Sequence, residues 1–235
     1  MFLLSIILLS SCISYTPAPR PISLVAKSFI SIEEKTTYTV CKDKTCTIKI
    51  SESLSGGFVV GQSKEGSIAL MTAHACDPDV GPFTLKTTEI KAFDYNSVQY
   101  DTEILKIMRG IDTCVILVKD ANLPQLYMAR SAPKIGDEVF TVSTPHGIRS
   151  TNMIPLFSGY YSGLDKELNM DVYTLPVDSG SSGGPILDKN GHVLGLVSKK
   201  PNFFEHILYS PRYGIVNLIY NLFKNGITDK NKNSI

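Results

Sequence analysis

At 235 residues the chain is long enough for one larger domain or for two small lobes sharing an interface. Hydrophobic residues make up 43% and charged residues 19%, a composition that excludes disorder over most of the length. A formal charge of +1 supplies no electrostatic footprint for nucleic acid, so that class of partner is set aside.

The chain opens with MFLLSIILLSSC, an apolar run too short to span a bilayer followed by small residues, which is the shape of an export signal over residues 1–11. The stretch Leu9 to Cys12, LSSC, resembles the lipobox of bacterial lipoproteins. That resemblance implies cleavage before Cys12, acylation of Cys12, and a membrane-attached lipoprotein on the periplasmic or outer surface. An ordinary signal peptide and an uncleaved anchor are the alternatives. Residues 13–23, ISYTPAPRPIS, carry three prolines and read as an extended tether between anchor and body, so that the tether spans 12–23 with its lipidated Cys.

Without Cys12, four cysteines remain: Cys41, Cys46, Cys76 and Cys114. An even number in an exported chain suggests disulfides, with three connectivities open. In YTVCKDKTCTIKI a turn centred on Asp43 and Lys44 sets Cys41 opposite Cys46 on adjacent strands, close enough for a bond after modest adjustment. Cys76 with Cys114 follows by elimination, two separate buried thiols being the alternative.

From residue 24 to about 216 the chain is a string of short runs rich in Val, Ile, Thr, Tyr and Phe, broken by Gly, Pro, Asn and Asp. Examples are GFVVG, SIALMT, CVILV, EVFTVST, DVYTLPV, VLGLV and YGIV. The pattern is all-β, and long enough for two successive barrels, about 24–120 and 121–216. Near the end, Asn217 can cap a helix over 217–226 whose Leu218, Ile219, Leu222 and Phe223 follow helical spacing, with Gly226 as its stop. A polar tail, 227–235, follows.

Chemistry concentrates at Gly180 to Pro185, GSSGGP, which resembles the nucleophile loop of trypsin-like serine proteases. The resemblance places the nucleophile at Ser182, and the oxyanion donors at the amides of Gly180 and Ser182. Its physical sense is that an attacking hydroxyl needs main-chain N–H groups aimed at the developing oxyanion, which glycines allow. A serine hydroxyl also needs a base within hydrogen-bond reach. Among four histidines, His74 in ALMTAHAC resembles the family's T-A-A-H-C motif, one position early, with His146 the second choice and His192 and His206 bystanders. The third group must be a buried carboxylate, since burying a charge is costly without a partner. Asp112, heading the apolar run DTCVILV, fits that role better than Asp94 or Asp101 in their polar surroundings.

The order His74, Asp112, Ser182 is that of trypsin-like proteases, and the resemblance, of the compact bacterial and viral type, covers roughly residues 50–224. It implies a chymotrypsin-like all-β fold of two six-stranded antiparallel barrels with a C-terminal helix. It also implies a peptidase domain over 24–226 that cleaves protein or peptide substrates through an acyl-enzyme without a cofactor or metal. GHVLGLVS resembles the strand beside the substrate, so Val197, Ser198, Lys199 and Lys200 are expected to border the cleft. Pro176 stands where digestive trypsins carry their pocket-floor Asp, so a preference for Arg or Lys is not supported. A non-catalytic binding lipoprotein on the same fold is the rival from another class, and ester hydrolysis a weaker one. Substrate preference and oligomeric state are not legible here.

Overall fold

The computed structural model describes residues 22–42, 45–78, 86–201 and 206–224. The export signal, Cys12, most of the tether, the turn at Asp43 and Lys44, and the polar tail lie outside the described residues.

A short helix α1 (Ile22–Ser28) leads into β1 (Phe29–Lys42), β2 (Thr45–Ser63) and β3 (Gly66–Met71), followed by the single turn α2 (Ala73–Cys76). β4 (Lys86–Phe93), β5 (Gln99–Met108) and β6 (Thr113–Lys119) complete an antiparallel barrel that closes in the order β1-β2-β3-β6-β5-β4. The second half supplies β7 (Glu138–Val142), β8 (Leu156–Asp165), β9 (Met170–Thr174), β10 (Pro185–Asp188), β11 (Val193–Leu196) and β12 (Leu208–Pro211). These form a six-stranded antiparallel sheet ordered β11-β10-β7-β8-β9-β12. Its ends are drawn together where the Leu196 amide donates to Ser210 Oγ at 3.1 Å, giving a second barrel-like layer.

The unbroken apolar runs have a direct cause. Successive strand residues point to opposite faces, and these strands are buried on both. On β2, Val59 enters the barrel interior with Ile32, Met71 and Ile116, whereas Phe58 and Val60 face a second cluster. That cluster joins residues of both sheets, including Leu70, Val115, Val142 and Leu196, to the helix α3 (Tyr213–Phe223). The two lobes are thus held by shared apolar burial, and the site described below lies on elements of both.

The terminal helix begins four residues earlier than the sequence suggests. YGIV is not a strand: Tyr213 to Phe223 is helical throughout, and Val216, Ile219, Tyr220 and Phe223 form its buried stripe. Asn217 is therefore interior, not the cap, and its carbonyl accepts from Asn221 Nδ2 at 2.8 Å. The start is set by a distant residue, because the Tyr213 amide donates to the Asp171 carboxylate of β9 at 2.7 Å. An orphan first-turn N–H is satisfied there by a carboxylate that no local sequence signal reveals.

Both expected disulfides are present. Cys41 and Cys46 are opposed in the β1–β2 register and bonded, and Cys76 at the end of α2 is bonded to Cys114 on β6. The second closes a 38-residue separation and so ties together the two segments that carry His74 and Asp112.

Barrel one also encloses an unexpected acid. Glu34 on β1 is only 2% exposed and accepts from the hydroxyls of Ser53 and Ser55 on β2. Burial pushes its carboxyl above the usual value, against the smaller downward pull of the two hydroxyls and of the charge on His74. A raised folded-state value favours the folded protein below the ordinary carboxylate range, and that contribution is lost as pH rises through the folded value. Glu34→Gln is therefore expected to raise the urea unfolding midpoint at pH 8, with a gain that shrinks toward pH 4. A lower midpoint at pH 8 would refute this.

Candidate active site

His74 lies on α2, directly after β3, and Asp112 heads β6, which pairs with β3. The pairing Met71↔Cys114 therefore brings two residues 38 apart in sequence into contact. His74 Nδ1 lies 3.0 Å from both Asp112 Oδ1 and Oδ2, and the His74 amide donates to Oδ1 at 3.1 Å. Asp112 is 7% exposed, while the imidazole side chain is about half exposed and thus open to a reactant.

Asp112 also adopts the left-handed region, with φ of 46°, as the cap of a one-turn 3-10 segment, Arg109–Ile111. Asp and Asn are among the few non-glycine residues that visit it readily. A third donor completes the carboxylate: Ser198 Oγ donates to Oδ2 at 2.5 Å. Burial alone would raise the Asp112 carboxyl, but the hydrogen bonds from His74 and Ser198 and the charge of His74 outweigh it, so it is held below the usual range.

The loop Asp178–Pro185 comes from the second sheet. Ser181 is fully buried, its amide donating to Asp178 O at 2.9 Å and its carbonyl accepting from Gly184 N at 3.0 Å. Ser182 is half-buried, and its carbonyl accepts from Gly56 N on β2 at 2.7 Å, which stitches this loop to barrel one. Glycine is required on each side. Gly180 has φ of 92° with a Cβ position occupied by Thr144 O, and Gly183 has φ of 84° with a Cβ position occupied by Gly56 O.

The orientation of two peptide planes decides what this loop can do. Every peptide bond is trans among the described residues, so each C=O and the following N–H point in opposite directions. The Ser179 carbonyl is held by the His146 amide at 2.6 Å, and the Ser181 carbonyl by Gly184 N. The N–H groups of Gly180 and Ser182 are thereby turned the other way, and neither donates to a protein acceptor among the described residues. Two unspent amides two positions apart can stabilise a developing oxyanion. His146, the second-choice base, thus contributes through its backbone, while its ring Nε2 lies 3.4 Å from Asp178 Oδ2.

His74 Nε2 lies 3.4 Å from Thr72 Oγ1, and among the described residues no hydrogen bond joins the ring to Ser182 Oγ. Contacts of this kind are often long in an unliganded site and tighten around a substrate.

The rival histidines stand elsewhere. His192 pairs with Asp188, and His206 is exposed. Asp101 pairs with Lys91 on the surface. Asp94, unlike the solvated acid expected, is nearly buried and accepts from the amides of Asn96 and Val98 in its own turn. In the segment expected to border the cleft, Val197 is buried and spends its amide and carbonyl on Gly184 and Gly183, bracing the loop. Lys199 bonds the Tyr209 backbone, and Lys200 pairs with Asp178 at 3.1 Å.

Three contacts of the site have no motif in the sequence: the Ser198 hydroxyl on Asp112, the Gly56 amide on the Ser182 carbonyl, and the His146 amide on the Ser179 carbonyl. Only Ser198 left a trace, as an expected cleft residue. Ser198→Ala is expected to cost roughly 10- to 150-fold in kcat/KM, since a hydrogen bond to a charged group contributes about 1.5–3 kcal/mol. An unchanged rate would remove Ser198 from the site.

Comparison with known proteins bears on the fold and the family of the chain. A solved serine endoprotease of Yersinia pestis superposes with a TM-score of 0.63 at 16% identity, covering 87% of this chain and 66% of that one. That likeness is one of fold, and it bears out the two-barrel architecture. A serine protease of Mycobacterium tuberculosis is 31% identical over 116 residues, 46% of this chain and 28% of its own. A probable periplasmic serine endoprotease, DegP-like, of Halomonas elongata is 27% identical over 154 residues, 63% of this chain and 29% of its own. The chain therefore spans under a third of the length of these curated relatives. The family model for the trypsin-like peptidase domain matches residues 55–196, a span that contains His74, Asp112 and Ser182 and more than half of the sequence, and the chain belongs to that family.

Proposed function

We propose that the chain is a serine endopeptidase. One observation carries the reading: a buried carboxylate fixes the imidazole of His74, while the loop bearing Ser182 presents two amides with no internal partner among the described residues. Ser182 Oγ attacks the scissile carbonyl carbon as its proton passes to His74 Nε2. The charge that develops on the carbonyl oxygen is taken by the Gly180 and Ser182 amides. His74 returns the proton to the leaving amine as the C–N bond breaks, and water then hydrolyses the acyl-enzyme by the same exchange in reverse. Asp112 holds the Nδ1–H tautomer and stabilises the imidazolium, and Ser198 holds Asp112. These roles call on no cofactor.

A covalent fluorophosphonate probe tests the reading. Labelling of the wild type that is lost in Ser182→Ala and in His74→Ala supports it. An inert wild type that still folds would instead favour a binding module on the same scaffold. Turnover of peptide against ester substrates separates the peptidase from an esterase.

The same reading places the enzyme outside the cytoplasm on a lipid anchor at Cys12. It is supported by the apolar leader with LSSC at its end and by relatives named as periplasmic. Among the described residues no helix is long and apolar enough to cross a membrane. Incorporation of labelled palmitate, abolished by Cys12→Ser with release from the membrane fraction, is the expected result.

A further inference from the structure

β2 is far longer than the barrel needs. Its residues Phe58 to Ser63 pair with β3, but from Thr45 to Gly57 it pairs with β1 alone, so one edge of that stretch is free among the described residues. This free edge begins at the reactive centre, because the Gly56 amide that holds the Ser182 carbonyl points out of it. In an antiparallel strand the N–H and C=O of one residue point to the same side, and alternate residues share that side. Leu54, Glu52, Ile50 and Ile48 therefore turn their backbone groups to the same free edge as Gly56. By the same period of two, their side chains share one face. On that face Ile48 is 73% exposed, Ile50 58% and Leu54 41%, apolar positions interrupted by the exposed Glu52, which pairs with Lys35, on a ribbon whose far end is closed by the Cys41–Cys46 disulfide.

The geometry points to this edge as the docking strand for the leaving half of the polypeptide substrate, reaching about eight residues past the cut. The inference rests on the endopeptidase reading above. Ser182 lies between two segments: Gly183 bonds the Val197 carbonyl on one side, and Gly56 bonds Ser182 on the other. His74, which protonates the departing amine, belongs to the same barrel as β2, so the leaving half emerges on the β2 side. Leu54 is the first residue it meets, packed beside Gly147 in the turn whose His146 amide fixes the oxyanion peptide. Beyond it the unpaired backbone groups offer main-chain pairing and the isoleucines offer alternate apolar contacts, as in strand addition to a sheet edge. From Gly56 to Ile48 the edge runs about 27 Å at about 3.4 Å per residue. The substrate class implied is an extended or unfolded chain with apolar residues alternating after the cut, since a folded surface cannot supply a free strand of that length.

Two fluorogenic peptides with the same acyl half, and leaving halves of two and nine residues, test this. Wild type is expected to hydrolyse the longer peptide with a kcat/KM at least about tenfold higher, because burying an exposed isoleucine is worth more than one such factor. The double variant Ile48→Ser, Ile50→Ser is expected to narrow that difference by about tenfold, the main-chain pairing remaining, while leaving the short peptide and probe labelling unchanged; both side chains are exposed, so the barrel keeps its packing. Equal rates on both peptides in wild type, or a variant slowed equally on both, would overturn the docking edge. So would a wild-type dimer that the variant dissociates with neither rate altered, which assigns the ribbon to a second copy. A wild type that is neither labelled nor active on the short peptide marks failure of the endopeptidase reading itself.

Discussion

Ser182→Ala is expected to lower kcat for a peptide substrate by roughly a millionfold, and His74→Ala by a similar factor, with the double variant losing no more than either single one. In the proposed mechanism the hydroxyl and the imidazole act as one unit, so removing either leaves the other without a reaction to assist. What survives is the contribution of the Gly180 and Ser182 amides and of substrate binding, about 10³–10⁴ over water. Those amides are fixed by the Ser179 and Ser181 carbonyls, whose partners His146 and Gly184 neither substitution touches. Losses that multiply in the double variant would mean that the two side chains act independently, and the proposed proton transfer would fall.

Asp112→Asn is the second large effect, about 10⁴ in kcat with the fold retained. The left-handed backbone at position 112 accepts Asn as readily as Asp, so the turn survives. The hydrogen bonds do not. Oδ1 receives the His74 amide and Nδ1, and Oδ2 receives Nδ1 and Ser198, so both oxygens serve as acceptors. An amide offers one oxygen and one NH₂, which sets a donor against either His74 or Ser198 and favours the wrong imidazole tautomer. The same substitution has a pH signature. A carboxyl held below its usual value contributes stability above the ordinary carboxylate range and loses it as pH falls through the folded value. The stability advantage of wild type over Asp112→Asn should therefore be full at neutral pH and shrink in acid, read from urea unfolding at pH 7 and pH 3. A constant difference would show that Asp112 is not a charged partner in the folded protein.

Glu34 and Asp112, both buried acids of barrel one, thus oppose each other. Asp112 has His74 and Ser198 to offset its desolvation; Glu34 has two hydroxyls and a more distant charge, and these do not suffice. The sequence distinguishes Asp112 because it heads an apolar run. It gives no sign of Glu34, which sits in the polar string SIEEKTT and is carried inward by strand parity with Ile32.

The residues of GSSGGP, the His after SIALMT and the Asp before TCVILV carry their chemistry in their local context, and so do the opposed Cys41 and Cys46. Each depends on a neighbour a few positions away, and chain order exposes such neighbours. The start of α3, the hydroxyl on Asp112, the amide behind Ser182 and the direction of the Gly180 N–H depend on partners 42, 86, 126 and 33 positions distant respectively. Such hydrogen bonds join single carboxylates, serines, glycines and main-chain atoms, which leave no pattern along the chain; tertiary packing, including burial of the shared apolar cluster between the two lobes, is what brings them within reach.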